Sequence, residues 1–116
     1  MTAAITIEVR CAGTGSAVTY EFRRLPITIG RDEDNDVSIG RRFVSARHAR
    51  IEEMDGRLRV VDLNSTNGVS VRGADGRWTR LPNQAAYDLE ASGFEFGVGQ
   101  YALRVRWPRR AGFREP

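Results

Sequence analysis

The chain of 116 residues contains no lysine; all 18 of its basic residues are arginine. It has a single cysteine, a single histidine, and no apolar run approaching the roughly 20 residues that a membrane-spanning helix requires. Each shortage removes a class of function. Cys11 has no second thiol to pair with, so an intramolecular disulfide and a cysteine-based zinc or redox motif are excluded, and the residue reads as a small buried hydrophobe. His48 alone cannot furnish the two or three imidazoles of most catalytic zinc sites. A cofactor, a metal and a catalytic set are therefore not expected. The N-terminus lacks the charged, apolar and small-residue succession of a signal peptide, and the expectation is a soluble, cytoplasmic protein with no membrane partner.

An arginine-only inventory has two readings. Coding-sequence base composition produces such a bias without any function, while the planar guanidinium also suits bidentate contact with phosphate. A sequence pI near 9.7 raises the question of nucleic acid. The distribution argues against it. Beyond Trp107 lie Arg109, Arg110 and Arg114 against Glu115 alone, so this tail contributes two of the three net positive charges. The rest of the chain is nearly balanced, and no platform of exposed aromatics adjoins the basic residues. Nucleic acid is not an expected partner.

What is present is alternation. Ile5, Ile7 and Val9 recur at period two, as do Val18, Tyr20 and Phe22, which is the signature of half-buried strands. Asp55-Gly56 between two such runs predicts a two-residue type I′ hairpin. That turn sets the register, with Ile51 opposite Val60 and Glu53 opposite Leu58 on one face and Glu52 opposite Arg59 on the other. Asp75-Gly76 predicts a second hairpin tip. Tyr101, Leu103, Val105 and Trp107 form an inward-facing set that ends at Pro108. With further short runs at 27–29, 37–39, 69–71, 78–81, 87–89 and 94–98, the chain reads as all-β, an antiparallel sandwich of about eleven short strands. One domain spans residues 1–107, and 108–116 reads as a basic, disordered tail.

Three inter-strand loops carry phosphate-contacting chemistry. Gly30-Arg31 follows Ile27-Thr28-Ile29 and precedes the acidic run from Asp32 to Asp36. Ser45-Ala46-Arg47-His48 precedes Ala49. Asp62-Leu63-Asn64-Ser65-Thr66-Asn67-Gly68 closes the series. In motif, order and spacing, over residues 5 to 107, these segments resemble the forkhead-associated (FHA) domain. The resemblance implies an FHA/SMAD-like sandwich whose loops, at one end, grip a phosphothreonine segment of a partner protein. The implied partner is a serine/threonine kinase or its substrate, and the implied role couples kinase signalling to complex assembly. Phosphate carries nearly two charges and three acceptor oxygens, so its receptor needs a guanidinium and several neutral donors.

By that resemblance Arg31 supplies the guanidinium, Ser45 and Thr66 donate hydroxyls to phosphate oxygens, and Asn67 holds the backbone of an extended peptide. Ser65 and Arg47 are weaker candidates for contact. Gly30 and Gly68 serve backbone geometry, and His48 braces the loops. Structural readings stand beside these. Arg31 could pair with Asp32 or Asp34, Ser45 could bond its own turn, Thr66 could simply end a strand, and Asn67 could occupy a left-handed turn position. A Ser45–His48 catalytic pair is rejected, because no orienting carboxylate or oxyanion-hole signature accompanies it. Asn64-Ser65-Thr66 matches the glycosylation sequon, which has no use without secretion.

Departures from the family pattern are also legible. Ala46 stands where a polar or basic residue often adds a contact, Phe43 places an apolar side chain in a recognition loop, and residues 72–93 lack the expected Asn-Gly and Gly-Asp turns. Ala46 and Phe43 leave room for an alternative, a phosphate-independent interaction scaffold of the same fold.

Overall fold

The computed structural model describes residues 4–11 and 13–108; the tail arginines Arg109, Arg110 and Arg114 lie outside the described residues. Every alternating run becomes a strand: β1 (Ile5–Cys11), β2 (Ala17–Phe22), β3 (Ile27–Gly30), β4 (Val37–Ser38), β5 (Ala49–Met54), β6 (Arg57–Asp62), β7 (Val69–Arg72), β8 (Trp78–Arg80), β9 (Ala86–Asp88), β10 (Phe94–Val98) and β11 (Tyr101–Arg106). They form a six-stranded sheet in the order β2-β1-β11-β10-β7-β8 and a five-stranded sheet in the order β4-β3-β5-β6-β9. No helix among the described residues is long and apolar enough to cross a membrane.

The core is the sum of the inward positions. Ile5, Ile7, Phe96, Leu103 and Val105 from one sheet and Ile27, Ile29, Ile51 and Val60 from the other are wholly buried, and the alternation that put them there leaves polar neighbours outside. The β5–β6 hairpin has the expected register, Ile51 facing Val60 and Glu52 facing Arg59. Asp55 and Gly56 both have positive φ, as a type I′ turn requires. Arg59 meets the Glu52 carboxylate at 2.6 Å, and Arg50 meets it from the same strand. Residues 73–77 form the tip between β7 and β8, closed by Gly73 N–H to Arg77 C=O at 2.8 Å.

Four details differ from expectation. Val18 is 57% exposed rather than inward, because β2 is an edge strand opposite a sheet with one strand fewer. Cys11, at the end of β1, is only partly buried. Tyr101 and Trp107, counted in the inward set, are only partly buried at the two ends of their run. The sandwich is not wholly antiparallel either, since β4 pairs parallel to β3 through Ile29 with Val37 and Gly30 with Ser38. So short a loop ordinarily cannot make a parallel crossover. Here it doubles back. The Asp36 carboxylate accepts the Thr28 N–H at 2.9 Å, pulling the chain to the start of β3 before it runs alongside. That return turns the acidic loop into a wall of the site.

The register also gathers loops. Val69 of β7 pairs with Val98 of β10, so the turn 99–100 lies at the same end as the segment 63–68. Phe43 reaches into that junction, stacking on Tyr101 with ring centroids 6.3 Å apart, and a side chain at Gly99 would collide with it.

Candidate functional site

His48 stands at the centre of the loop cluster and is wholly buried. It is placed by backbone hydrogen bonds in both directions, its N–H to Ile29 C=O at 2.9 Å and its C=O from Leu63 N–H at 3.0 Å. Its ring spans two recognition loops. Nδ1 accepts the Ser45 N–H at 3.1 Å, and Nε2 lies 2.8 Å from Gly68 C=O. A carbonyl only accepts, so Nε2 carries the proton and the imidazole is neutral. Burial, opposed by the Gly68 carbonyl and by Asp62, moves its pKa below the ordinary histidine range.

This yields a pH prediction. The unfolded chain takes up the histidine proton near about pH 6.5 and the folded chain does so only at lower pH, so the stability contributed is complete above about pH 6.5 and is lost as pH falls below it. As the chain has one histidine, the denaturation midpoint is expected to fall between about pH 7.5 and about pH 5, and His48→Gln to flatten that slope. An equal slope in the variant would contradict the assignment.

The third loop is organised by Asp62, which is 1% exposed at the end of β6. Burial raises the carboxyl's pKa, but hydrogen bonds from the Ser65 hydroxyl and from the Gln84, Ser65 and Asn64 N–H groups outweigh this and hold it below the usual carboxylate range. Asn64 takes a left-handed φ of 62° beside it, and Gly68 one of 83°. Asn67 does not occupy that region; the left-handed positions of this loop are Asn64 and Gly68. Ser65, expected as a ligand contact, is 2% exposed. Its hydroxyl donates to Asp62 and accepts the Gly68 N–H at 2.9 Å. The structure makes it an internal tie rather than a surface donor. The short Ser side chain three residues after Asp closes a local ring that motif matching alone does not reveal.

The second loop is seated against the first. Arg31 N–H bonds Ser45 C=O at 2.9 Å, and its Nη1 donates to Val44 C=O at 2.8 Å. Neither Asp32 nor Asp34 pairs with Arg31. Asp34 instead takes Arg47, at 2.8 Å, on the exposed flank. Arg47 therefore stands on that flank with a guanidinium already shared with a carboxylate. Asn35, which the sequence did not single out, donates from one amide nitrogen to Asp32 C=O and Ala46 C=O, at 2.9 and 2.8 Å. Gly30 must lack a side chain because a Cβ there would collide with that same Ala46 carbonyl.

Across the gap between loops, Ser45 Oγ accepts the Thr66 N–H at 3.0 Å, and the Asn67 amide donates to Phe43 C=O at 2.7 Å. The geometry leaves defined groups outward. Ser45 Oγ uses a lone pair and keeps its proton, while the Thr66 hydroxyl, the Asn67 Oδ1, and the Arg31 Nε and Nη2 have no partner among the described residues. Arg31, Thr66 and Asn67 are exposed and Ser45 half-buried. Phe43, by contrast, spends its ring on the core and on Tyr101, which removes the apolar lure that favoured a phosphate-independent scaffold.

The family model for the FHA domain matches residues 27–91, more than half of the chain. A curated relative, the oxoglutarate dehydrogenase inhibitor of Corynebacterium diphtheriae, is 30% identical over 91 residues; the match takes in 78% of this chain and 57% of the relative, so the chain spans little more than half of that protein's length. Among solved structures, one described as a structural and functional analysis of phosphothreonine-dependent FHA domain interactions is 28% identical with a TM-score of 0.66, covering 89% of this chain and 95% of its own. The FhaA FHA domain complexed with the intracellular domain of Rv3910 is 29% identical with a TM-score of 0.66, covering 88% of this chain and 99% of its own. An FHA domain of Chlamydia trachomatis, 21% identical with a TM-score of 0.70 over 90% of this chain and 97% of its own, shares the fold. With the three loop motifs on this sandwich and the family model across them, the chain belongs to the FHA domain family.

Proposed function

We propose that the domain, residues 1–107, binds a phosphothreonine segment of a partner protein and so couples serine/threonine kinase activity to complex assembly in the cytoplasm. It acts as an interaction module, and no reaction is assigned to it. The observation that carries this reading is the hydrogen bond from Thr66 N–H to Ser45 Oγ. It occupies one of the hydroxyl's two lone pairs and leaves the O–H free to donate, in a loop whose Ser45 C=O accepts the Arg31 N–H and whose Val44 C=O holds the Arg31 Nη1.

An outward fork of N–H groups and hydroxyl donors suits a dianion with three acceptor oxygens. Donors held in place before binding lose little entropy when the ligand arrives. In this assignment Arg31, Ser45 and Thr66 contact the phosphate and Asn67 Oδ1 accepts from the peptide backbone. Ser65, His48, Gly30 and Gly68 maintain the loops, and Arg47 acts only at the flank. The likeness to the structure described for phosphothreonine-dependent FHA domain interactions supports the reading. Calorimetry with a phosphothreonine peptide library and its unphosphorylated counterpart tests it. Binding of the phosphorylated set alone is expected, and equal binding of both would end the proposal.

A further inference from the structure

Arg80 lies in the C-terminal half of the candidate region, far in sequence from the three motifs, yet it touches the loop that they form. Its Nη2 donates to Thr66 C=O at 3.3 Å. Gly68, at φ 83°, presents no side chain on that side, and a Cβ there would collide with the Arg80 guanidinium. The guanidinium therefore occupies the space that a side chain at residue 68 would fill, at the edge of the turn. Thr66 is held from two neighbours, its N–H by Ser45 Oγ and its C=O by Arg80. Ser45, whose C=O is bonded to the Arg31 N–H, holds the first of these, and Arg80 holds the second.

The charge of Arg80 is uncommitted. Eight arginines form ion pairs among the described residues, and the carboxylate of Glu95 on the same sheet is taken by Arg72 and Arg104. Arg80 pairs with no carboxylate among the described residues, and its Nε and Nη1 donate to none of them. A pre-positioned planar fork with free donors is matched by a carboxylate. Arg31 already supplies the guanidinium that a phosphate needs.

We propose that Arg80 is a specificity-determining residue, pairing with an aspartate or glutamate that flanks the phosphothreonine in the partner. This rests on the phosphothreonine reading above. The test uses calorimetry on peptides that differ at one flanking position at a time, acidic or neutral, each made with and without the phosphate, against the wild type and Arg80→Gln.

At one position the wild type is expected to favour the acidic phosphopeptide by about fivefold, the upper range for an exposed ion pair. R80Q is expected to erase that ratio while still requiring the phosphate. Because the substitution also frees the Thr66 carbonyl, a common loss across all phosphopeptides is expected, and only the acidic-to-neutral ratio scores the proposal. An unchanged ratio in R80Q, or no acidic preference in the wild type at any position, overturns it while phosphate dependence stands. Wild type that ignores the phosphate altogether overturns the underlying reading as well.

Discussion

Arg31→Ala is expected to weaken binding of a phosphothreonine peptide by about a hundredfold, the order of a lost charge-assisted, bidentate contact. Arg31 follows β3 directly, its N–H is fixed to Ser45 C=O and its Nη1 to Val44 C=O, so the fork that remains is aimed by backbone rather than by chance. The variant should stay folded, because the side chain is exposed and the lost bond to Val44 costs about 1 kcal/mol. Arg31→Lys separates charge from shape. It keeps the cation but not the fork, and is expected to bind between wild type and alanine. Calorimetry with one phosphopeptide on all three proteins decides. If Arg31→Ala binds as tightly as wild type, Arg31 does not hold the phosphate.

The largest stability effect is expected from His48→Ala, about 3 kcal/mol, or a fall in melting temperature on the order of 15 °C for a domain of this size. Ser45 N–H, part-buried, would lose its acceptor and the buried Gly68 C=O its donor, and a cavity would replace the ring. Since the stability of such a domain is of the order of 5–15 kcal/mol, this is a large share. Ser45 and Thr66 would also lose their common alignment, so peptide affinity should fall even at temperatures where the variant is folded. Thermal unfolding together with binding at low temperature measures both. A variant that loses stability but keeps wild-type affinity would show that the imidazole supports the fold without aligning the site.

Much of the strand layout was readable because it depends on neighbours in sequence. Alternation at period two and the Asp55-Gly56 turn are local properties, and they set the β5–β6 register down to the Glu52–Arg59 pair. The motif series likewise placed Arg31, Ser45, Thr66 and Asn67 in loops, and the fold brings those loops to one end. Ser65 was misjudged because a hydroxyl looks the same in sequence whether it faces water or a buried carboxylate. Asp62, the first residue of that motif and three positions before Ser65, is the residue that decides it. Asn35 and Arg80 were missed for a related reason. Their partners, Ala46 C=O and Thr66 C=O, are backbone atoms 11 and 14 residues away, and backbone acceptors leave no trace in side-chain patterns.

The sequence by itself determined which kinds of side chain the loops have to offer and which chemistries they lack. It holds no second histidine, no thiol pair and no lysine, and it confines its guanidinium and hydroxyl motifs to turns between strands. Composition and short-range pattern suffice for that, since each strand and each turn is a local choice of φ, ψ and facing. The tertiary structure alone decided direction. Whether Ser45 offers its proton or its lone pair, whether Arg47 is free or bound to Asp34, and whether Phe43 faces a partner or the core all turn on contacts between segments that only the closed sandwich brings within bonding distance.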